Sequence, residues 1–220
     1  MSSPPPLALV TGGEGELGAA IAAELRARGY EILAPGRLEL DVAVRGSVTD
    51  YFSEKVGEGF DLLVNNAGVR RDRLVATMDE EDWDEVLGVN LRGAFLCARE
   101  AMRRFMKAGA GHVVNIGSYS ARSAPAGQAN YAAAKAGLEA LTKTLAREGG
   151  GRGVRANCVL PGWMETKFTS DVPTTVRERA LEQHSLGRFN RPNDAAKFVA
   201  FLHAEMTAVS GQVFQLDSRD

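Results

Sequence analysis

The chain has little of what marks a secreted, disulfide-stabilised protein. Only two cysteines occur among its 220 residues, Cys97 and Cys158, and each lies inside an apolar segment. Cysteines so few and so placed argue against a disulfide framework and suit a reducing compartment. We therefore predict that both are free thiols in the core.

Long apolar runs and an excess of charge of one sign are also lacking. No segment approaches the ~20 apolar residues of a membrane-spanning helix, and the opening residues, Met1 to Pro6, hold no basic stretch typical of a targeting signal. The formal net charge is −2, with acidic and basic residues interleaved. The sequence thus predicts a cytoplasmic protein that binds small molecules, without nucleic acid or membrane as partners.

The three histidines, His112, His184 and His203, are far apart in the sequence and lack metal-ligand spacing. No metal site is expected.

What the chain does have is an alternation of strand-like and helix-like segments. Such alternation predicts an α/β fold, in which a doubly wound parallel sheet carries helices on both faces. The predicted strands are Leu7 to Val10, Glu31 to Ala34, Leu62 to Asn65, Val113 to Ile116, Val154 to Val159 and Val213 to Leu216. The predicted helices are Ala19 to Arg28, Val86 to Met106 and Tyr131 to Ala146, with Gly149 to Gly151 as a loop.

The second crossover of this sheet is predicted to be short. Between Ala34 and the apolar Leu40-Asp41-Val42 stretch there are too few residues for a helix of ordinary length. No shift in composition marks a domain boundary, so residues 1–220 are expected to form one domain.

A glycine-rich segment follows the first strand. Thr11 to Gly18 reads TGGEGELG and leads directly into a helix. Glycines there allow a tight turn, and the backbone N–H groups of the helix start can approach a pyrophosphate. A plain structural turn remains the alternative for this motif alone. With the alternating elements, it predicts a Rossmann-type nucleotide-binding fold.

Arg37 lies just past the second predicted strand, where the adenosine ribose of a bound dinucleotide is expected. A guanidinium there could pair with a 2′-phosphate, which favours NADP(H). The alternative is a solvated surface arginine, and Glu39 nearby keeps NAD(H) possible.

Several further motifs, in register over Leu7 to Asp217, resemble the short-chain dehydrogenase/reductase family. They are Asn65-Asn-Ala-Gly68, Asn90 on the following helix, Ser118 after a strand, Tyr131-Ala-Ala-Ala-Lys135, and Pro161-Gly162 with Thr166. The resemblance implies a single NAD(P)-binding domain over residues 1–220. It also implies an oxidoreductase that moves hydride between nicotinamide and a carbonyl or secondary alcohol.

A hydride-transfer reaction explains why these motifs contain a tyrosine, a lysine and a serine. Tyr131 and Lys135 are four residues apart on a predicted helix, so their side chains share a face. We expect the ammonium to lower the pKa of the phenol, which then acts as general acid/base, while Ser118 binds the same substrate oxygen. The resemblance gives Lys135 a contact with the nicotinamide ribose and gives Asn90 a water in a proton relay.

The resemblance also implies the residues that contact the cofactor. Asp41 and Val42 would flank the adenine, Ile116 the nicotinamide, and Thr166 the carboxamide or pyrophosphate, although Asp41 and Asn66 could equally be polar caps at strand ends. The full predicted set is Gly12, Glu14, Gly15, Leu17, Gly18, Arg37, Asp41, Val42, Asn66, Ala67, Gly68, Ile116, Tyr131, Lys135, Pro161, Gly162, Met164 and Thr166.

The first motif departs from the ordinary family pattern. TGxxxGxG would need glycine at position 16, where this chain has Glu16; glycines 12, 15 and 18 instead fit the TGxxGxxG of extended members. A carboxylate there suits the helix dipole but disfavours a nearby phosphate, so we expect Glu16 to be turned away from the cofactor.

Later segments resemble 3-oxoacyl-[acyl-carrier-protein] reductases and their acetoacetyl-CoA and secondary-alcohol relatives. These segments are Gly127 to Lys135, Leu186 to Phe189 with Arg191-Pro192, and Ser210 to Val213. The substrate would then be an acyl thioester. An NAD(H)-dependent sugar, polyol or other secondary-alcohol dehydrogenase and a non-catalytic nucleotide sensor remain alternatives.

The resemblance has consequences for surfaces as well. Lys167 to His184 would form a mobile cover over the substrate. Basic residues near helix ends, namely Arg103, Arg104, Lys107 and Arg152, could receive an acyl carrier protein or simply be solvated. Contacts through the helices around 94–106 and 131–146 and through the last strand would give a homodimer or homotetramer.

Overall fold

The computed structural model describes residues 4–219, so the prediction for Met1 to Pro6 falls partly outside the described residues. Within them, six parallel strands form one sheet in the order β2-β1-β3-β4-β5-β6. The strands are β1 Leu7–Val10, β2 Glu31–Leu33, β3 Leu62–Asn65, β4 Gly111–Ile116, β5 Val154–Leu160 and β6 Val213–Gln215. The predicted α/β doubly wound fold is confirmed, and each predicted strand lies within two residues of an observed one.

Helices cover both faces of the sheet. They are α1 Glu16–Ala27, α2 Arg45–Tyr51, α3 Glu80–Leu87, α4 Ala94–Ala108, α5 Ser120–Ser123, α6 Ala129–Gly150, α7 Thr174–Glu182 and α8 Pro192–Ala204. Among residues 4–219, no helix has both the length and the apolar character needed to cross a bilayer.

Alternate residues of each central strand pack into two separate cores. Leu9 and Leu63 face α2, α4 and α6, whereas Val10 and Val64 face α1 and α8. All four side chains are fully buried, and each such burial contributes about 1.5–3 kcal/mol. Near-continuous apolar runs in the central strands follow from burial on both sides.

No helix forms between β2 and the Leu40-Asp41-Val42 stretch, as predicted, but the crossover as a whole is not shortened, because the chain from β2 to β3 carries α2 and the π-helical segment Phe52–Val56. The Leu40-Asp41-Val42 stretch forms no strand but a turn, in which the backbone N–H of Ala43 donates to the Asp41 carboxylate at 3.0 Å. Leu40 and Val42 are buried there, so they still anchor the crossover to the core, and α2 is the helix that leads to β3.

The helix boundaries that differ most from the prediction are the start of the helix before β4 and the end of α6. The long helix expected over Val86 to Met106 begins earlier, at Glu80, and is interrupted by a π-helical segment, Gly88–Gly93, between α3 and α4. Gly149 and Gly150, expected in a loop, belong to α6. A Cβ on Gly149 would lie 2.8 Å from Val154 Cβ, so close packing requires glycine in the last turn despite its low helix propensity.

The cysteines are buried and free, as predicted. Burial raises the pKa of both thiols to about 12, which makes them inert core side chains. The histidines are not all isolated, however. Folding stacks His112 on His203, with their Nδ1 atoms 3.3 Å apart.

Candidate active site

A cavity of about 1350 Å³ opens at the carboxyl edge of the sheet, where β1 and β3 lie side by side while their connections leave in opposite directions. Such a switch point is where doubly wound sheets bind ligands. All eighteen residues of the predicted cofactor set line this cavity, as does Ser118. Asn90 lies behind its wall.

The glycine-rich turn forms one end of the cavity. Gly12 has a φ of +65°, and a Cβ on it would lie 2.9 Å from Ala67 Cα. A Cβ on Gly18 would lie 2.3 Å from the Gly12 carbonyl oxygen. Both positions therefore require glycine, one for its left-handed conformation and one for close helix packing.

Polar contacts tie this turn to the end of β3. The hydroxyl of the buried Thr11 accepts hydrogen bonds from the backbone N–H groups of Asn66 at 3.0 Å and Ala67 at 3.1 Å. The Asn66 amide nitrogen donates to the carbonyls of Thr11 and Gly12. Asn66 thus acts as a polar cap at the strand ends, which was one of its two predicted roles.

The adenosine side of the cavity carries mixed charge. The Arg37 side chain is two-thirds exposed, and its Nε lies 3.5 Å from the Asp41 carboxylate. The Glu14 carboxylate packs over Gly36, so closely that a Cβ there would lie 2.0 Å from it. Arg37 is therefore partly exposed but paired with the carboxylate of Asp41.

Glu16 is turned towards the far side of the cavity mouth. Its Oε1 accepts a hydrogen bond of 3.1 Å from the backbone N–H of Lys167. The side chain is tied to the segment that follows Thr166 instead of pointing into the glycine turn. Glu16 nevertheless lines the cavity, so its orientation away from a bound phosphate stays a prediction.

Ser118, Tyr131 and Lys135 come together in the wall of the cavity. Ser118 follows β4, while Tyr131 and Lys135 lie one turn apart in the first half of α6. Burial raises the pKa of Tyr131 to about 12, although a hydrogen bond from Ser118 and the charge of Arg70 act in the opposite direction. The expected lowering of this pKa is therefore wrong in this structure, because desolvation outweighs the neighbouring charges.

Lys135 is almost fully buried, with an exposed fraction of 4%. Its Nζ donates a 2.7 Å hydrogen bond to the Ile116 carbonyl and lies 5.6 Å from the centre of the Tyr131 ring. Burial lowers the pKa of the ammonium to about 8. The lysine is thus held by the backbone at the end of β4, beside the ring of the tyrosine.

Asn90 occupies the π-helical segment between α3 and α4. Its Nδ2 donates to the carbonyls of Val69 at 2.8 Å and Val86 at 2.9 Å. Its buried Oδ1 has no hydrogen-bond partner, and a Cβ on Gly68 would lie 2.7 Å from that oxygen. A π-helical turn holds one residue more than an α-helical turn, and this extra residue turns the Asn90 side chain towards the loop after β3.

The other end of the cavity follows β5. A Cβ on Gly162 would lie 2.6 Å from Asp217 Cβ, so only glycine fits at this position. The Asn190 amide donates to the carbonyls of Pro161 and Leu216 and braces this turn. Thr166 caps the short 3-10 helix Lys167–Thr169. This helix is the first turn of the predicted cover, Lys167 to His184, which is called the covering segment below.

Comparison with known proteins identifies the family. Residues 16–218 match a family model described as enoyl-(acyl carrier protein) reductase. A 3-oxoacyl-[acyl-carrier-protein] reductase FabG from Aquifex aeolicus is 38% identical over 212 residues, which cover 95% of this chain and 85% of the relative. The chain belongs to the short-chain dehydrogenase/reductase family.

Two further relatives carry the same name. The protein from Thermotoga maritima is 41% identical over 83% of this chain and 77% of its own length. The protein from Vibrio cholerae is 36% identical over 96% of this chain and 95% of its own length. The predicted resemblance is confirmed, and this short-chain dehydrogenase/reductase is an NAD(P)-dependent oxidoreductase that acts on CH–OH groups.

The residues present fit a nicotinamide dinucleotide. Gly12, Gly15 and Gly18 line the cavity at the start of α1, where N–H groups and the helix dipole suit a pyrophosphate. The unpartnered Asn90 oxygen and the Ser118–Tyr131–Lys135 set lie towards the opposite end. The cavity therefore holds both the glycine-rich turn and the polar side chains that a short-chain dehydrogenase/reductase needs.

Some cavity residues were missed by sequence reasoning. Arg70 and Arg219 line the cavity, and so does Phe168, which was predicted only as part of the segment Lys167 to His184 and not as a site residue. The Arg219 guanidinium lies 3.9 Å from the centre of the Tyr119 ring and pairs with the buried Asp217. No motif marked these residues, because only folding brings the loop after β3, the covering segment and the chain end together.

Proposed function

We propose that this protein is an NADP(H)-dependent reductase of 3-oxoacyl thioesters. The observation that carries this proposal is that Ser118, Tyr131 and Lys135 line one cavity that begins at the glycine-rich turn, with the Lys135 Nζ 5.6 Å from the centre of the Tyr131 ring. The names of the relatives support the substrate class, since they are 3-oxoacyl reductases at 36–41% identity.

When bound, NADPH supplies the hydride that reduces the carbonyl carbon. The residues of this chain position and protonate the carbonyl oxygen of the substrate. A phenol with a pKa of about 12 is protonated at neutral pH, so Tyr131 donates its Oη proton to the developing alkoxide. Ser118 donates a hydrogen bond to the same oxygen and fixes its position.

Lys135 and Asn90 act behind the tyrosine. The Lys135 ammonium, with a pKa of about 8, favours the phenolate that remains after proton transfer and is placed to bind the nicotinamide ribose. Asn90 is positioned to hold a water that returns a proton to this pair. Both roles follow from the family, and the burial of both side chains supports them.

The cofactor contacts are proposed at the predicted residues, with the pyrophosphate at Gly12 to Gly18 and the nicotinamide between Ile116 and the turn at Pro161 to Thr166. NADP(H) is preferred because Arg37 lies beside the adenosine end. NAD(H) remains possible, since Asp41 already pairs with that arginine.

The acyl group would reach the site as a coenzyme A or carrier-protein thioester. A carrier-protein surface at the predicted basic residues has less support, because Arg103 and Arg104 pair with Glu100 and Lys107 pairs with Glu58. We further propose a single catalytic domain over residues 1–220, in the cytoplasm, that assembles as a homodimer or homotetramer.

The direct test is to follow NADPH and NADH absorbance with acetoacetyl-CoA, crotonyl-CoA and a panel of sugars, polyols and ketones. We expect NADPH turnover with acetoacetyl-CoA and a loss of about 10³-fold or more in kcat for Tyr131→Phe. Tyr51→Phe, on α2 outside the cavity, is the matched control and should retain full activity.

Three outcomes would contradict the proposal. Turnover of crotonyl-CoA alone would indicate an enoyl reductase. Turnover of sugars or polyols with NAD⁺ alone would indicate the alternative dehydrogenase. Cofactor binding without turnover of any substrate would indicate a nucleotide-sensing protein.

A further inference from the structure

Arg70 is a nearly buried cation at the substrate side of the cavity. Its side chain is only 11% exposed and lies between two carboxylates. Asp72, 3.4 Å away, belongs to the same loop, whereas Asp171 belongs to the covering segment and forms a direct hydrogen-bonded ion pair. The same guanidinium lies 5.8 Å from the centre of the Phe168 ring.

The loop that carries Arg70 is held on both sides. The carbonyl of Val69 accepts a hydrogen bond from Asn90, and the carbonyl of Arg71 accepts one of 2.9 Å from Asn130. Both asparagines are fully buried. Arg70 therefore extends from a rigid base, and any contact it makes to the covering segment restrains that segment and not the loop.

The contacts of the covering segment lead directly to the proton donor. The Phe168 ring lies between Arg70 and Tyr131, with its centre 6.2 Å from that of the tyrosine ring. Glu16 holds the backbone of Lys167 one residue earlier. Asp171 itself is 77% exposed, so its main attachment to the body of the protein is the arginine.

Charge from the same loop acts on the phenol. The Arg70 cation lowers the pKa of Tyr131 and Asp72 raises it, while Ser118 after β4 lowers it through a hydrogen bond. Lys135 on α6 is the other cation facing the ring. Arg70 thus favours the phenolate that forms when Tyr131 gives up its proton.

We propose that Arg70 is a positioning residue that latches the covering segment through Asp171 and Phe168 and supports proton transfer at Tyr131. The proposal rests on the function proposed above, since it names the device by which that site closes over its substrate. When the ion pair forms, Phe168 is brought against the tyrosine and water is excluded from the reacting oxygen.

The latch can be tested without turnover. Amide hydrogen exchange is measured by mass spectrometry on the full chain, as wild type, Arg70→Gln, Asp171→Asn and the double variant. We expect exchange in the covering segment to rise about 3- to 10-fold in each single variant, as for loss of one partly exposed ion pair. The double variant should exchange no faster than either single one, because both remove the same interaction.

Arg73→Gln is the matched control, since Arg73 lies in the same loop but pairs with Asp79 and Asp82. It should leave exchange in the covering segment unchanged, and exchange in β1 and β3 should stay as in wild type for every variant. Equal exchange in Arg70→Gln and Arg73→Gln, or additive effects in the double variant, would overturn the latch.

Turnover supplies the second readout. For alcohol oxidation with NADP⁺, Arg70→Gln should raise KM several-fold and shift the midpoint of the kcat/KM pH profile upward by about 0.5–1 unit. Arg70→Lys should restore the midpoint because it restores the charge. An unshifted profile in Arg70→Gln would overturn the electrostatic role. Wild-type protein without any turnover would instead refute the proposed function and leave the exchange result interpretable.

Discussion

Glu16, the first residue of α1, accepts a hydrogen bond from the backbone of Lys167, which lies 151 positions away in the sequence. The carboxylate thereby links the nucleotide-binding turn to the segment that covers the substrate. It stands where the ordinary family motif has glycine, so the same side chain supports the covering segment and adds a negative charge beside the glycine-rich turn.

Replacing this carboxylate with an amide separates the two effects. Glu16→Gln keeps an oxygen that can accept from Lys167 but removes the charge. We expect the Kd for NADPH to fall about 2- to 5-fold at low salt, with a smaller change at physiological salt, because screening weakens the repulsion. Titration calorimetry measures this directly. Glu54→Gln, after α2, serves as the control, and unchanged or weaker binding in Glu16→Gln would contradict the repulsion.

The contribution of Arg37 to cofactor choice can be measured in the same way. Arg37→Ala should raise the Kd for NADPH about 10- to 100-fold, the cost of one charge-assisted contact to phosphate. The Kd for NADH should change less than about 3-fold, since a 2′-hydroxyl makes no such contact. Arg45→Ala, at the start of α2, is the matched control. Equal changes for both cofactors would refute a 2′-phosphate contact.

Ser118 should matter more for oxidation than for reduction. Its hydrogen bond is the largest contribution that lowers the pKa of Tyr131 against the effect of burial, so Ser118→Ala raises that pKa further. We expect kcat for reduction to fall about 10²- to 10³-fold through loss of substrate alignment. Alcohol oxidation, which needs the phenolate, should fall more at the same pH.

Initial rates in both directions at one pH provide the measurement. Ser118→Thr retains a hydroxyl and should recover most of both activities. Equal losses in the two directions would show that Ser118 aligns the substrate without acting on the tyrosine pKa.

The buried His112–His203 pair predicts sensitivity to acid. Burial and the Arg155 charge lower the pKa of His203 to about 4, and burial lowers that of His112 well below 6.5. Both pKa values are lower when folded, so the stability present above about 6.5 is lost as pH falls towards 4. For His203 alone the loss is about 3 kcal/mol, as expected for a pKa of about 4 in the folded state.

The measurement is the free energy of unfolding by urea at several pH values between 7 and 4. His203→Gln keeps an acceptor for His112 but does not titrate, so its stability should fall less steeply with acid than that of the wild type. Identical slopes for the two proteins would mean that other groups dominate acid unfolding.

Much of the fold could be predicted because its signals are local. The apolar runs around Leu9, Leu63 and Val114 are strands buried on both faces, and the glycines of Thr11 to Gly18 mark a strand-to-helix turn. Tyr131 and Lys135 share a helix face by spacing alone. Such patterns depend on neighbours within a few residues, so they can be recognised before any tertiary contact is known.

The errors come from contacts between distant segments. Gly149 lies in α6 and not in a loop, and it is glycine there because Val154 and Met102 leave no room for a side chain. The π-helical segment around Asn90 was not foreseen, since no residue type encodes it. The pKa of Tyr131 rises because burial is the sum over every surrounding segment, which a single neighbouring lysine in the sequence could not reveal.

The sequence by itself determined the family, the order of the strands and the motif residues of the cavity, because short motifs and their periodicity encode them. Only the tertiary structure decided which partners those side chains have: Arg37 with Asp41, Lys135 with the Ile116 carbonyl, Glu16 with Lys167 and Arg70 with Asp171. Except for the local Arg37 pair, these contacts join segments far apart in the chain, and they exist only when packing of both sheet faces brings the segments together.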